Sequence, residues 1–253
     1  MNTKRAQKFQ FQQFAIRQER CGFKVGTDGV LLGAWADVAG RQRALDIGTG
    51  TGLLALMLAQ RNPALRVDAV ELEADAAAQA AENGAASPWG ERVRVWQTAV
   101  QDFHPTTRYD LIVSNPPFFA ADQHLAAPDL ARRQARQTAT LSFADLLDSV
   151  VRLLGENGRF CLILPVAAGR EFVQLAGERG LWCGRETAVF PTPSKPAHRL
   201  LLELGWEKHE PVYDRLTIET EQHHVYTRAF GGLTANFYVK QTGIAEESDE
   251  SII

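Results

Sequence analysis

Apolar positions along the chain fall into two alternating patterns: short runs of β-branched and aliphatic residues, and longer Ala- and Leu-rich stretches with helical spacing. The run Arg43-Ala44-Leu45-Asp46-Ile47 predicts a strand, and Leu53 to Ala59, after a glycine turn, predicts a helix. A second strand is predicted over 67–71 and a helix from Ala74 to about Asn83, with Asn83-Gly84 as its stop signal. Strands follow over 93–96 and 109–114, then a helix over 143–154, a strand over 158–164 and a helix over 168–179. Two more strands, near 182–189 and 199–205, complete the pattern. Such alternation predicts an α/β fold with a mostly parallel sheet, and no internal repeat is apparent. Residues 118–141 form a 24-residue segment with no clear strand, longer than a plain connector, and are expected to serve function.

With 45% hydrophobic and 23% charged residues, the 253-residue chain has ample material for a core and allows one large domain or two small ones. No run approaches the roughly 18 apolar residues of a membrane helix, and the N-terminus lacks an apolar signal core, so a cytoplasmic protein is expected. The net charge of −3 argues against a generally basic nucleic-acid coat, but its distribution is uneven. Residues 1–24 carry Lys4, Arg5, Lys8, Arg17, Arg20 and Lys24 against Glu19 alone, whereas residues 241–253 hold four acids and no base. The acidic tail is expected to be disordered. Cys21, Cys161 and Cys183 are odd in number and lack CxxC spacing, so neither a disulfide framework nor a zinc site is indicated. The six histidines, His223-His224 among them, show no ligand spacing, and no metal is expected.

Chemistry first appears at Asp46-Ile47-Gly48-Thr49-Gly50-Thr51-Gly52, a strand running into a glycine turn and a helix. In an open α/β sheet this is where a nucleotide-like ligand binds. A dinucleotide fingerprint would need glycine at 53, where the chain has Leu53, and no Gly-Lys-Ser/Thr follows for a phosphate loop. An ordinary turn would use the same glycines, but Glu71 at the end of the second strand favours ribose binding. The spacing G-x-G-x-G behind Asp46, with Glu71, resembles the S-adenosylmethionine site of class I methyltransferases. That resemblance implies Asp46, Gly48, Gly50, Gly52 and Glu71 as cofactor-binding residues, with Glu71 on the ribose hydroxyls. Asp68 reads as a solvated or locally paired carboxylate.

The strand over 109–114 ends in Asn115-Pro116-Pro117-Phe118. Two prolines stiffen the loop and leave an amide side chain beside a carbonyl at the sheet edge. The motif resembles the N-P-P-[YF] signature of methyltransferases acting on planar nitrogens, and adenine N6, guanine N2 and a protein glutamine amide all remain open on it alone. The target that resemblance implies explains the motif: an exocyclic amine on adenine delocalises its lone pair into the ring and attacks a sulfonium methyl poorly. Two acceptors, Asn115 Oδ1 and the Pro116 carbonyl, would draw that nitrogen toward a tetrahedral form aimed at the methyl carbon. Phe118 would stack on the base.

The block from Cys21 to Trp35 adds Lys24, Thr27 and Asp28 on a glycine-flanked loop before an apolar helix, as a lid over the cofactor's methionine end and as a helix start capped by Thr27 or Asp28, two compatible roles. With this block, Ser87-Pro88-Trp89, Gln134-Ala135-Arg136 and Phe237-Tyr238, the chain closely resembles the bacterial tRNA adenine-N6 methyltransferases. The resemblance runs from about Phe9 to Val239. It implies a Rossmann-like class I methyltransferase with a mixed, mostly parallel seven-stranded sheet and helices on both faces. It also implies methylation of N6 of the adenosine immediately 3′ of the anticodon in a valine tRNA, by a monomer and without a metal. Guanine-N2 methylation of ribosomal RNA and a non-catalytic RNA-binding protein of the same fold are the alternatives. Residues 1–33 are expected to form a basic arm and lid, 34–240 the methyltransferase domain and 241–253 the tail. Phosphate contacts are expected from Lys4, Arg5, Lys8, Arg132, Arg133 and Arg136. One departure stands out: where the family often places an acid near the cofactor adenine, this chain has Ala99, with Asp102 three residues later.

Overall fold

The computed structural model describes residues 8–116, 141–239 and Gly243. Of the expected functional residues, Lys4, Arg5, Pro117, Phe118, Arg132, Arg133 and Arg136 lie outside them, as does the tail apart from Gly243.

A hairpin of β1 (Lys8–Gln10) and β2 (Ala15–Arg17) precedes the main sheet. That sheet contains β3 (Arg43–Ile47), β4 (Arg66–Glu71), β5 (Val93–Gln97), β6 (Tyr109–Ser114), β7 (Leu154–Pro165), β8 (Trp182–Phe190), β9 (Arg199–Gly205) and β10 (Val212–Thr217). Their spatial order is β10-β8-β9-β7-β6-β3-β4-β5. All neighbours are parallel except β9, which runs antiparallel to both β7 and β8. The mixed, mostly parallel α/β sheet is the expected one, enlarged to eight strands. The eighth, β10, escapes a sequence reading because it is an edge strand whose first four residues are exposed and only Leu216 is buried, so no alternation marks it.

Helices cover both faces. Alternation along β6 sends Leu111 and Val113 toward α1 (Thr27–Trp35) and α2 (Leu53–Arg61), and Ile112 toward α4 (Phe143–Leu153) and α5 (Val166–Gly177). α3 (Ala74–Ala85) packs on β5, and the short α6 (Arg228–Thr234) on α1. Among the described residues no helix is long and apolar enough to cross a membrane.

The described part of the N-terminal segment, residues 8–33, is built into the body. Phe11, Phe14 and Ile16 are buried with Val30, Met57 and Phe237, and the expected boundary between residues 33 and 34 runs through α1. Lys8, the one expected arm cation described, is exposed at the start of β1.

Two local expectations change. Helix α3 does not stop at Asn83-Gly84 but continues to Ala85, because Gly84 does not take the positive φ of a helix-ending glycine. Buried Asn83 accepts from Arg17 N at 2.9 Å and donates to Arg17 O at 2.8 Å and Thr51 O at 2.9 Å, tying β2 to the glycine turn. The N-cap of α1 is Gly26, in extended conformation and without a side-chain cap, so Thr27 and Asp28 lie within the first turn. Asp68 is locally paired: it accepts from Tyr109 OH at 2.8 Å and Trp96 Nε1 at 2.9 Å. All three cysteines are free and buried, and burial raises each thiol pKa.

Candidate cofactor and active site

Strand β3 lies between β4 and β6, so the sheet reverses its order there, and the carboxyl ends of these strands leave a crevice. A cleft of about 650 Å³ occupies it, within the usual range for small-molecule sites. Its walls come from residues 21–29, the glycine turn, Glu71-Leu72, residues 98–101, Asn115-Pro116 and His198-Arg199.

The turn after β3 places Gly48 at φ +71°, Gly50 at +55° and Gly52 at +83°, a region side chains disfavour. A Cβ on Gly48 or Gly50 would meet nothing within 4 Å, so both face open space in the cleft. Gly48 N and Thr49 N donate to Val70 O at 2.9 and 3.1 Å, which holds the turn against the end of β4. Gly52 has a different task. It is the N-cap of α2, a Cβ there would approach Ala80 at 3.4 Å, and it does not line the cleft.

Asp46 also lies beneath the cleft rather than in its wall. Fully buried, it accepts from Thr49 Oγ1 at 2.5 Å and Ala55 N at 3.2 Å, thereby joining the turn to α2. Burial pushes its carboxyl up to about 7; the bonds from Thr49 and Ala55 oppose the rise and nearby Glu71 adds to it. An unfolded Asp releases its proton near pH ~4. The folded state therefore holds the extra proton between about pH 4 and 7, and stability falls as pH rises through that window. Asp46→Asn is expected to remove this slope: its unfolding temperature, relative to the wild type without cofactor, should gain from pH 5 to about pH 7 and level off above that. A difference that stays constant with pH would rule the titration out.

Glu71 ends β4 with its side chain in the cleft wall, 7% exposed. One oxygen accepts from Gly50 N at 2.9 Å and the other from Glu73 N at 3.0 Å. Burial raises its pKa, and these backbone donors counter the rise. One carboxylate thus supports the glycine turn and borders the cavity.

Across the cleft, Lys24, Thr27 and Asp28 line the wall as expected, but both charges are already engaged. Lys24 Nζ donates to Gln18 O, and Asp28 Oδ2 accepts from Arg199 Nε at 2.8 Å. At the mouth, Asn115 is exposed and Pro116 half-buried, both lining the cleft. Ser114 Oγ donates to Ile47 O at 2.9 Å and fixes the end of β6 against β3, so the Asn-Pro loop and the glycine turn keep one geometry.

Several wall residues escaped the sequence reading. His198 and Arg199 arrive from the start of β9, whose antiparallel return brings this N-terminal end to the carboxyl edge of its neighbours. Burial lowers the His198 pKa, as does Arg199. Phe23 and Leu72, 40% and 43% exposed, are large apolar side chains on the rim, an exposure that only the folded structure shows. Ala99, Val100 and Gln101 line the cleft and Asp102 does not, so the departure noted at Ala99 leaves this wall without an acid.

Residues 26–162, which contain the glycine turn, Glu71 and Asn115-Pro116, match the family model of the methyltransferase small domain. The chain is 48% identical over 237 residues to a tRNA1(Val) (adenine(37)-N6)-methyltransferase of Trichodesmium erythraeum, covering 92% of this chain and 98% of the relative. It belongs to that methyltransferase family. A Klebsiella pneumoniae relative of the same name is 46% identical, covering 91% of this chain and 94% of its own. Among solved structures, an Agrobacterium tumefaciens protein described as a predicted O-methyltransferase superposes with a TM-score of 0.65 at 19% identity, covering 83% and 96% of the two chains. The ribosomal protein L11 methylase of Lactobacillus delbrueckii subsp. bulgaricus gives 0.54 at 17%, covering 77% and 84%. Both likenesses are of fold. The methyl donor of this methyltransferase is S-adenosylmethionine, and the open space over Gly48 and Gly50 beside a buried carboxylate fits such a group.

Proposed function

We propose that the protein methylates the exocyclic N6 of the adenosine immediately 3′ of the anticodon in a valine tRNA. The observation that carries this reading is Asn115-Pro116 at the mouth of the cleft, beside the glycine turn and Glu71, in a chain nearly half identical to enzymes named for that reaction.

In this reading Gly48 and Gly50 admit the methionine end and Glu71 accepts the ribose hydroxyls. Leu72 and Val100 are the apolar residues available to the cofactor adenine, with backbone groups of 99–101 supplying polar contacts in place of an acid. S-adenosylmethionine supplies an electrophilic methyl group on a sulfonium. Asn115 Oδ1 and the Pro116 carbonyl accept the two amino hydrogens of the target and draw its lone pair out of conjugation. With S-adenosylmethionine held by Gly48, Gly50 and Glu71, its sulfonium would supply the methyl group to that lone pair, and the proton the amino nitrogen loses would pass to solvent. Positioning and electrostatics suffice, and no protein nucleophile is needed. Pro117 and Phe118, with Phe118 stacked on the base, complete the loop. An anticodon loop suits this chemistry because its bases lie outside a continuous duplex and are cheaply extruded. The RNA backbone is held by the N-terminal cations Lys4, Arg5 and Lys8 and by Arg132, Arg133 and Arg136, which follow the Asn-Pro-Pro-Phe motif in sequence.

Incubating the protein with tritiated cofactor and unmodified tRNA, followed by nucleoside analysis, is expected to yield N6-methyladenosine. N2-methylguanosine from ribosomal RNA would transfer the assignment to guanine, and binding without transfer to any RNA would leave a non-catalytic protein.

A further inference from the structure

A second groove, of about 880 Å³, opens beside the cofactor cleft. Val25, Gly26, Thr27 and His198 stand in the walls of both, so the groove continues the cleft beyond the start of α1. Its character is amphipathic: Tyr226, Tyr238 and Phe9 present half-buried rings, and Lys195 supplies an exposed cation.

These groups are held in place from behind. Tyr226 stacks on buried Phe230 at 5.0 Å, and Tyr238 on buried Phe11 at 6.0 Å. The loop carrying Lys195 contains Pro191, Pro193 and Pro196, which restrict its backbone. Ser194 anchors it by donating from N and Oγ to Glu221 at 2.8 and 3.0 Å. The two carboxylates in the groove wall are both engaged, Glu221 by Ser194 and Glu219 by the His223 ring at 3.2 Å and His224 N at 3.4 Å. Lys195 makes no ion pair among the described residues, so its charge is available to a ligand.

A base presented to Asn115 belongs to a polynucleotide, and its neighbours must leave the cleft along the protein. A pre-braced aromatic face beside a free ammonium is what an unpaired nucleotide needs, stacking for the base and a cation for the phosphate. We propose that this groove is the subsite for an unpaired nucleotide flanking the methylated adenosine, its base against Tyr226 and its phosphate at Lys195. The assignment rests on the tRNA reading above and adds to it a contact surface built from described residues, Tyr226 and Lys195 among them.

The test is steady-state methylation of tRNA by the full chain carrying Lys195→Glu or Tyr226→Leu, with cofactor affinity measured in parallel. The Michaelis constant for tRNA is expected to rise roughly tenfold in each variant, while kcat and cofactor affinity stay within about twofold. Lys195→Ala should reduce the salt slope of log affinity for tRNA by about 0.7, the loss of one phosphate contact on a single strand. Lys195 is exposed, so its variants keep the test valid should Tyr226→Leu lower stability. A wild-type enzyme that methylates tRNA, with unchanged KM and salt slope in the Lys195 variants, overturns the groove assignment alone. A wild-type enzyme that methylates no tRNA overturns the substrate reading and the groove with it.

Discussion

Asn115→Ala is expected to lower kcat by about 10²- to 10³-fold, the usual effect of removing one group that a transition state requires. Asn115 is exposed at the mouth of the cleft, so the substitution leaves no cavity and no orphaned buried group. Unfolding temperature and cofactor affinity should therefore match the wild type. The reason for the large kinetic effect is electronic. Without the side-chain oxygen one amino hydrogen loses its acceptor, and the nitrogen relaxes into conjugation with the ring. The Pro116 carbonyl remains, which is why some residual activity is expected. Single-turnover kinetics with saturating tRNA isolate the chemical step, and a rate within threefold of wild type would remove Asn115 from the mechanism.

Glu71→Ala should weaken S-adenosylmethionine binding roughly 100-fold. A hydrogen bond to a charged group contributes about 1.5–3 kcal/mol, so losing the ribose pair amounts to some two orders of magnitude in affinity. The carboxylate also holds Gly50 N, so its removal frees the turn as well as the ribose contact. Glu71→Gln is a milder change. The amide keeps one acceptor, enough for one of the two backbone donors Gly50 N and Glu73 N, and replaces the other with a donor that cannot serve both hydroxyls, and an intermediate loss of about tenfold is expected. Calorimetric titration of the cofactor measures both variants. Affinities within threefold of wild type would place the ribose elsewhere.

The legible parts of the protein were those in which one local segment carries both its fold and its chemistry. Residues 43–52 are such a segment: the apolar run predicts β3, and the glycines mark the turn because their backbone must take positive φ. Glu71 and Asn115 were legible for a related reason, since Glu71 ends β4, Asn115 directly follows β6, and a parallel sheet brings such ends to one edge. Legibility was weaker where a residue's neighbours come from far along the chain. Asp46 and Gly52 belong to the same motif as Gly48 and Gly50, yet they secure α2 instead of lining the cleft. Strand alternation puts Asp46 on the face toward α2, and the turn ends by aiming Gly52 at α3. Asn83 read as a helix stop, but its amide bridges β2 and the glycine turn.

By itself the sequence determined the α/β class, the place of the glycine turn, the acid that ends the second parallel strand and the Asn-Pro pair at the end of β6. Each depends on interactions within a few residues, where periodicity and backbone sterics act directly. Only the tertiary structure decided that β10 extends the sheet, that residues 8–33 pack into the body, and that His198-Arg199 reach the cleft. It also decided the pairing of Asp28 with Arg199, 171 positions away in the chain. These features follow from the antiparallel course of β9 and from burial against distant elements, neither of which leaves a local periodic trace in the chain.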